Sequence, residues 1–202
     1  MTLNNDQYNE LKMCENSILY FANRYIKISD SVSVKQINLN DFQRDVIEKF
    51  EGSKSFFLSS ERMTGKTTVA AIILLHNSLF NINNNSAIFA PKQVVSDYML
   101  ELIVEMYERL PNFLTISKIV SKNKQKLEFD NGSCILSAGS QPHLLTRLDV
   151  STMYIDESEF ISDDLNKLIA DMVIKLTAKP SSKLFILSSI RTAEILNSAK
   201  SS

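Results

Sequence analysis

Two short segments, about 90 residues apart, combine the residue types that phosphate chemistry requires. The first, Thr64–Thr68 (Thr-Gly-Lys-Thr-Thr), lies between the apolar runs Phe56–Leu58 and Val69–Leu75. This strand–loop–helix context is that of a phosphate-binding loop, in which backbone N–H groups and the dipole at the helix start attract an anion. Lys66 would contact the β- and γ-phosphates of a nucleotide, and the hydroxyl of Thr67 would bind Mg²⁺.

The second segment, Met153–Glu157, is an apolar strand that ends in two carboxylates. Asp156 would hold the Mg²⁺ shell, and Glu157 would activate the water that attacks the γ-phosphate. The alternative is a strand end with two solvated carboxylates. Ser60 stands where the usual phosphate-loop pattern has its first glycine. The order and context of the two segments favour a site for ATP and Mg²⁺.

Hydrophobic periodicity predicts alternating strands and helices around these segments. The predicted helices are 7–28, a helix capped by Asn40-Asp41 and stopped at Gly52, the phosphate-loop helix to Phe80, 95–110 and 163–176. Predicted strands include 56–58, 87–90, 134–138, 153–156 and 184–189, with a hairpin turn at 130–133. This alternation predicts an α/β fold with a mostly parallel sheet and helices on both faces.

Composition narrows the class of protein. The 202 residues are 44% hydrophobic and 22% charged, which fits one α/β domain with a substantial core. A net charge of −1 gives no global attraction to DNA. Cys14 and Cys134 are far apart, which indicates a reducing compartment, and neither they nor His76 and His143 have the spacing of a metal site. The polar N-terminus predicts no signal peptide, and the longest apolar run, Val69–Leu75, is too short to span a membrane.

Six segments in order resemble the ATPase domain of the large terminase subunit of tailed bacteriophages, most closely the myovirus type. They are Asp41–Asp45, Arg62–Thr68, Leu110–Leu114, Leu127–Ser133, Tyr154–Ile161 and Leu187–Ser189, within a resemblance that covers about residues 38–192. The variant phosphate loop of this family typically lacks the first glycine and carries an arginine where Arg62 stands. The chain departs from the family at Met63, at Leu148, where glycine is common, and at Ile190, where proline is usual.

The resemblance implies a P-loop NTPase of the RecA-like (ASCE) type, with a mostly parallel central sheet flanked by helices. Residues 1–37 would be an N-terminal helical lead-in and residues 38–202 the ATPase domain. Full-length members of the family continue into an RNase H-like nuclease domain. Because this chain stops at Ser202, we expect the nuclease domain to be separate or missing.

The resemblance also assigns roles to residues. Nucleotide contacts fall to Phe42, Gln43, Arg62, Met63, Thr64, Gly65, Lys66, Thr67, Thr68, Ser188 and Ser189, catalysis to Glu157, Arg62 and Lys66, and Mg²⁺ to Thr67 and Asp156. Gln43 would read adenine through its amide, beside Phe42; the alternative is the first turn of a helix with Phe42 in the core. Arg62 would stabilise charge on the γ-phosphate in cis, unless Arg147 of a neighbouring subunit does so. Ser188 and Ser189 would couple hydrolysis to movement, although serine is also common at strand ends.

The implied activity is Mg²⁺-dependent ATP hydrolysis that powers the translocation of double-stranded DNA into a viral procapsid. The implied partners are DNA, the portal and the small terminase subunit, with the chain in a ring oligomer in the cytoplasm of an infected bacterium and no membrane involved. A lysine-rich segment would either contact DNA or form a solvated hairpin; its lysines are Lys118, Lys122, Lys124 and Lys126. The alternatives are a helicase-like nucleic-acid motor and a nucleotide-binding assembly module without turnover.

Overall fold

The computed structural model describes residues 3–29, 33–61, 63–90, 92–139, 149–156, 174 and 182–189. The helices are α1 (Asn5–Asn16), α2 (Ile18–Tyr25), α3 (Asp41–Gly52), α4 (Lys66–Phe80) and α5 (Gln93–Glu108). The strands are β1 (Lys27–Ser29), β2 (Val34–Gln36), β3 (Ser55–Ser60), β4 (Asn85–Phe89), β5 (Ile119–Lys122), β6 (Lys126–Phe129), β7 (Cys134–Gly139), β8 (Thr152–Asp156) and β9 (Lys183–Ser189). The predicted helix 163–176 lies outside the described residues, apart from residue 174.

Seven strands form one sheet in the order β3-β9-β8-β4-β7-β6-β5. The first five strands in this order, β3 to β7, run parallel to one another. At the edge of the sheet, β6 pairs antiparallel with β7, and β5 pairs antiparallel with β6. The predicted turn between β6 and β7 is confirmed, with Gly132 at φ +81°, where a side chain would be strained. The predicted fold class, a mostly parallel sheet with flanking helices, is also confirmed.

Strand β9 lies between β3, which leads into the phosphate loop, and β8, which ends in Asp156. Its register aligns Leu58 of β3 and Asp156 of β8 with the same residue, Leu187. Since parallel strands end at the same edge of a sheet, the phosphate loop and Asp156 lie at one edge. Two strand spacings, about 10 Å, separate the backbones of β3 and β8.

Helix α4 is the centre of the core, with 12 of its 15 residues buried. It is apolar on every side from Val69 to Leu75, as expected for a helix enclosed by other elements. Alternate strand residues such as Tyr154 and Leu187 belong to the same hydrophobic cluster as α4. Their neighbours Met153 and Ile155 belong to a second, smaller cluster on the opposite face of the sheet.

The N-terminal segment forms two helices, and residues 27 and 28 belong to β1, so the prediction of one helix over 7–28 is wrong. Ser17 separates them, because its extended backbone (φ −150°) and its hydroxyl, which accepts from the N–H of Tyr20 at 3.2 Å, start a new helix. Cys14 and Phe21 from these helices lie in the same buried cluster as α4. The boundary between the N-terminal lead-in (residues 1–37) and the ATPase domain (residues 38–202) stays a prediction. Within the described residues, no helix is long and apolar enough to cross a membrane.

His76 is a buried polar residue on α4. Its side chain is 6% exposed, and its Nε2 lies 2.8 Å from the carbonyl oxygen of Cys14, to which the neutral ring donates. The rings of Phe21 and Phe80 pack against it, with centroids 5.5 Å and 4.7 Å away. Burial lowers the pKa of His76 to about 4, because a charged imidazole loses its hydration there.

We expect this histidine to make the fold sensitive to mild acid. As the pH falls below about 6.5, the unfolded chain binds a proton at His76 and the folded chain does not until about pH 4. The contribution is therefore fully present above pH 6.5 and is lost as the pH falls. Between about pH 7.5 and pH 5, the free energy of unfolding should drop by about 2 kcal/mol through this group.

Urea unfolding of the wild type and of His76→Gln at several pH values checks this expectation. The glutamine amide can still donate to the carbonyl of Cys14 but does not titrate, so the variant should lack that part of the pH dependence. An equal loss of stability in both proteins between pH 7.5 and pH 5 would show that His76 is not the group responsible.

Candidate nucleotide-binding site

The loop between β3 and α4 has the backbone shape of an anion site. Gly65 precedes the first residue of α4 with φ +83° and ψ +26°, and Met63 also has a positive φ, with its side chain fully exposed. The first N–H groups of an α-helix have no partner within the helix. Among the described residues no side chain caps α4, so the N–H groups of its first turn are open to a ligand at the edge of the sheet.

Lys66 brings a positive charge to this helix terminus. Its side chain is 9% exposed, and its Nζ donates to the carbonyl oxygen of Glu61 at 2.9 Å and lies 3.4 Å from the hydroxyl of Ser60. In the part of the chain that the structure describes, no carboxylate lies within ion-pair distance of this ammonium group. A nearly buried charge without a counter-ion is costly, so the site is complementary to an anion.

Ser60 closes the loop where the usual pattern has glycine. Its hydroxyl lies 2.8 Å from that of Thr64, and Thr64 donates in turn to the carbonyl of Glu61 at 3.1 Å. These short links join the two ends of the loop. Thr67 and Thr68 follow in the first turn of α4, both partly buried. The role of Thr67 as a Mg²⁺ ligand stays a prediction.

Asp156 ends β8 at the same edge and is 5% exposed. Side chains alternate along a strand, and Tyr154, two residues earlier, packs in the cluster of α4. Asp156 therefore faces the side of the sheet on which α4 begins. The two motifs that the sequence singled out thus converge at one end of one sheet face.

Gln43 lies against the phosphate loop and is 6% exposed. Its Nε2 donates to the carbonyl oxygen of Gly65 at 3.2 Å, and its Oε1 accepts from the N–H of Asn40 at 3.1 Å. Phe42 is partly buried and packs against the main core. Both interpretations of Phe42, beside adenine and in the core, stay open.

Asn40 is a residue of the site that the sequence analysis recognised only as a helix cap. Its Nδ2 donates to the carbonyl oxygen of Thr64 at 3.1 Å, so it contacts the phosphate loop directly. The signal for the cap is the spacing of Asn40 and Gln43, which form a capping box at the start of α3. Nothing in that local pattern indicates the contact with a loop more than 20 residues away.

Several predicted residues cannot be placed against this geometry. Arg62, Arg147, Glu157 and His143 lie outside the described residues. For Ser188 and Ser189 the strand register is defined, and Ser189 aligns with Ser60 at the end of β3. The roles assigned to all of these residues stay predictions.

Other candidate chemistry in the chain is weaker. Cys14 and Cys134 are free and buried, and burial raises the pKa of both thiols, that of Cys14 to about 12. Within the described ranges no group of three or more His, Cys, Asp or Glu residues could hold a metal ion.

Of the lysine-rich segment, Lys126 forms an ion pair with Glu128, while the others are exposed: Lys118, Lys122 and Lys124.

Comparison with known proteins identifies the fold. No protein-family model matches the chain. Among solved structures, the large terminase of bacteriophage HK97 superposes with a TM-score of 0.72 at 19% identity, over 93% of this chain and 41% of that one. The large terminase ATPase domain of Thermus phage P74-26 gives a TM-score of 0.56 at 14% identity, over 76% of this chain and 64% of that one.

A helicase shares the same architecture. The UvsW helicase of bacteriophage T4 gives a TM-score of 0.60 at 18% identity, over 90% of this chain and 63% of that one. The chain therefore spans less than two thirds of each of these three structures. It shares the RecA-like fold of these structures, and in particular the fold of the phage large terminase ATPase domains.

A side chain at Gly65 should destabilise the domain. A Cβ at this position would lie 2.4 Å from Nε2 of Gln43, and its φ of +83° is unfavourable for other residues. We expect Gly65→Ala to lower the free energy of unfolding by about 1–2 kcal/mol from the backbone strain alone. Urea denaturation measures this loss.

Gly52→Ala is the matched control, because a Cβ there meets nothing within 4 Å and no positive φ is required. This substitution at the end of α3 should be neutral or slightly stabilising. Equal destabilisation by the two substitutions would contradict the proposed conformational role of Gly65.

Proposed function

We propose that this chain is the ATP-hydrolysing part of a viral DNA-packaging motor. It would use Mg²⁺ and ATP to drive double-stranded DNA into a procapsid. The observation that carries the proposal is the nearly buried ammonium group of Lys66, which lacks an anionic partner among the described residues and stands at the uncapped start of α4. The shared fold with large terminases gives this anion site its context.

The described residues fit a magnesium–nucleotide complex. The N–H groups at the start of α4 and the amine of Lys66 would hold the β- and γ-phosphates and neutralise charge that develops during transfer. Thr67 and Asp156 offer the oxygen ligands that Mg²⁺ prefers. These two residues would hold the ion, which would supply positive charge to the phosphates. A second carboxylate, Glu157, follows Asp156 directly and would take a proton from the attacking water.

Arg62 and the serines at the end of β9 complete the proposed machinery. Arg62 would add a second positive charge to the γ-phosphate from within the loop, as an arginine finger in cis. Arg147 from a neighbouring subunit is the rival source of that charge. Ser188 and Ser189 would sense the γ-phosphate, since β9 lies between the strand of the phosphate loop and the strand of Asp156.

The partners of the motor follow from the same proposal. A packaging ATPase of this kind would act in a ring on the portal of a procapsid, with the small terminase subunit, in the cytoplasm of an infected bacterium. The exposed lysines of the β5–β6 segment offer one candidate surface for DNA, since Lys118, Lys122 and Lys124 form no ion pair within the described residues.

A second candidate function is a helicase-like nucleic-acid motor, which the superposition on the UvsW helicase favours. A module that binds nucleotide without turnover is the third. ATP hydrolysis by the purified chain, measured alone, with double-stranded DNA and with portal-bearing procapsids, separates them. Stimulation by procapsids with DNA protected inside supports packaging, strand separation supports a helicase, and binding without hydrolysis supports the third.

Lys66→Ala should abolish ATP hydrolysis and weaken ATP binding, because it removes the charge that faces the transferred phosphate. Lys12→Ala is the control, since Lys12 forms an exposed ion pair with Glu15 on α1, which contributes little to stability. Hydrolysis is followed by phosphate release, and folding by circular dichroism. Near-normal turnover in a folded Lys66→Ala protein would remove the assignment of the phosphate loop.

Glu157→Gln should keep the affinity for ATP and lose turnover, because it preserves shape and removes only the base. General-base catalysis contributes about 10²–10⁴-fold to rates, so the decrease in kcat should be of that order. Glu108→Gln, at the end of α5, serves as a control at an exposed carboxylate. Turnover within about threefold of the wild type, under 1 kcal/mol of barrier, would exclude Glu157 as the base.

A further inference from the structure

The start of α3 is attached to the phosphate loop by two side chains. Asn40, the N-cap residue, donates from Nδ2 to the carbonyl oxygen of Thr64 at 3.1 Å. Gln43, three residues later, donates from Nε2 to the carbonyl oxygen of Gly65 at 3.2 Å. The two consecutive carbonyl groups at the end of the loop are therefore both held by one helix terminus.

The same two side chains also bond to each other's backbone. Oδ1 of Asn40 accepts from the N–H of Gln43 at 2.9 Å, and Oε1 of Gln43 accepts from the N–H of Asn40 at 3.1 Å. This reciprocal capping box fixes both side chains relative to α3. Each amide group thus uses its oxygen for the helix and its nitrogen for the loop.

Holding these carbonyl groups orients the N–H groups that follow them. In a planar trans peptide the C=O and N–H bonds point in opposite directions. A bond from Asn40 to the oxygen of Thr64 therefore turns the N–H of Gly65 away from α3. The oxygen of Gly65 also accepts from the N–H of Val69 at 3.1 Å, as the first bond within α4. The bond from Gln43 to this oxygen therefore adds to the hold of the helix on the N–H of Lys66, at the first position of α4.

The contact is tight as well as hydrogen-bonded. A Cβ on Gly65 would lie 2.4 Å from Nε2 of Gln43 and 3.1 Å from its Cδ. Gln43 is 6% exposed, so water cannot readily replace its bond to the loop. An amide this close to the backbone leaves the loop little freedom to rotate.

An identical capping box at the start of α1 shows what the box does without a loop. Asn4 accepts from the N–H of Gln7 at 2.8 Å, and Gln7 accepts from the N–H of Asn4 at 3.2 Å. In the described structure, the hydrogen bonds of these two side chains stay within that helix terminus. The extra bonds of Asn40 and Gln43 are therefore not a requirement of helix capping.

We propose that Asn40 and Gln43 are positioning residues for phosphate binding, which hold the amides of Gly65 and Lys66 toward the β- and γ-phosphates. The inference rests on the proposed function and deepens it. It assigns Gln43 a role that does not depend on the base. Its effect should be the same for any ligand that carries a triphosphate group, whereas an adenine-reading role would act on ATP alone.

The test compares two ligands and four variants by isothermal titration calorimetry. The ligands are ATP and inorganic tripolyphosphate, each with Mg²⁺. Asn40→Ser keeps a capping oxygen and loses the donor to Thr64, and Gln43→Met removes the donor to Gly65 at similar size. The matched controls are Asn4→Ser and Gln7→Met in the box of α1. None of the four substitutions changes the charge of the protein.

We expect Asn40→Ser and Gln43→Met to weaken both ligands by the same factor, about threefold to tenfold, as for the loss of one hydrogen bond. The α1 controls should lower the melting temperature comparably and leave both affinities unchanged. Asn40→Ser is the milder change, because serine caps helices as well as asparagine does, so it decides the matter if Gln43→Met fails to fold.

Three results would overturn the inference without touching the proposed function. Weaker binding of ATP with unchanged tripolyphosphate would make Gln43 an adenine reader instead. Unchanged affinity for both ligands in Asn40→Ser and Gln43→Met would remove any role in positioning. Equal losses in the α1 controls would reduce the effect to general stability. A wild-type chain that binds neither ligand would instead overturn the proposed function, and the inference with it.

Discussion

The burial of α4 is the constraint on which the rest of this structure depends. A helix that is apolar on all sides has to be enclosed, and here the sheet, α2, α3 and α5 enclose it. The enclosure fixes where the helix begins. Gly65 and Lys66 are therefore placed by the hydrophobic core, and the nearly buried charge of Lys66 is a consequence of that placement. The core that stabilises the domain also places the residues of the proposed anion site.

The order of the strands places Asp156 at the same edge of the sheet as the phosphate loop. Because β9 lies between β3 and β8, the phosphate loop and Asp156 are about two strand spacings apart at one edge. In the proposed function, the phosphates would lie beyond the end of β9, between the start of α4 and the carboxylate of Asp156. Hydrolysis and its coupling to movement would then share one strand, since β9 touches both partners along its length.

At the start of α3, the same two residues stabilise the helix and contact the phosphate loop. Its capping box contributes to the helix as any cap does, and its remaining amide donors hold the phosphate loop. The box of α1 has the same residues and only the first of these roles. Position in the fold, and not residue type, distinguishes the two.

Features that depend on near neighbours in the chain were predictable. The strand–loop–helix context of Lys66, the cap at Asn40, the stop at Gly52 and the turn at Gly132 follow from local backbone preferences and periodicity. These determine the fold class and the position of Lys66 at the start of a helix. The break at Ser17 was missed because apolar spacing continues across it while the hydroxyl starts a new helix.

Features that join distant segments were decided only by tertiary structure. The position of β9, the bond from Asn40 to Thr64 and the burial of His76 against Cys14 all depend on which elements pack together. Periodicity reports that a face is buried but not which partner buries it. An asparagine three residues before a glutamine therefore predicts a helix start equally well at Asn4 and at Asn40. The packing of α3 against α4 brings the box at Asn40 into contact with the phosphate loop.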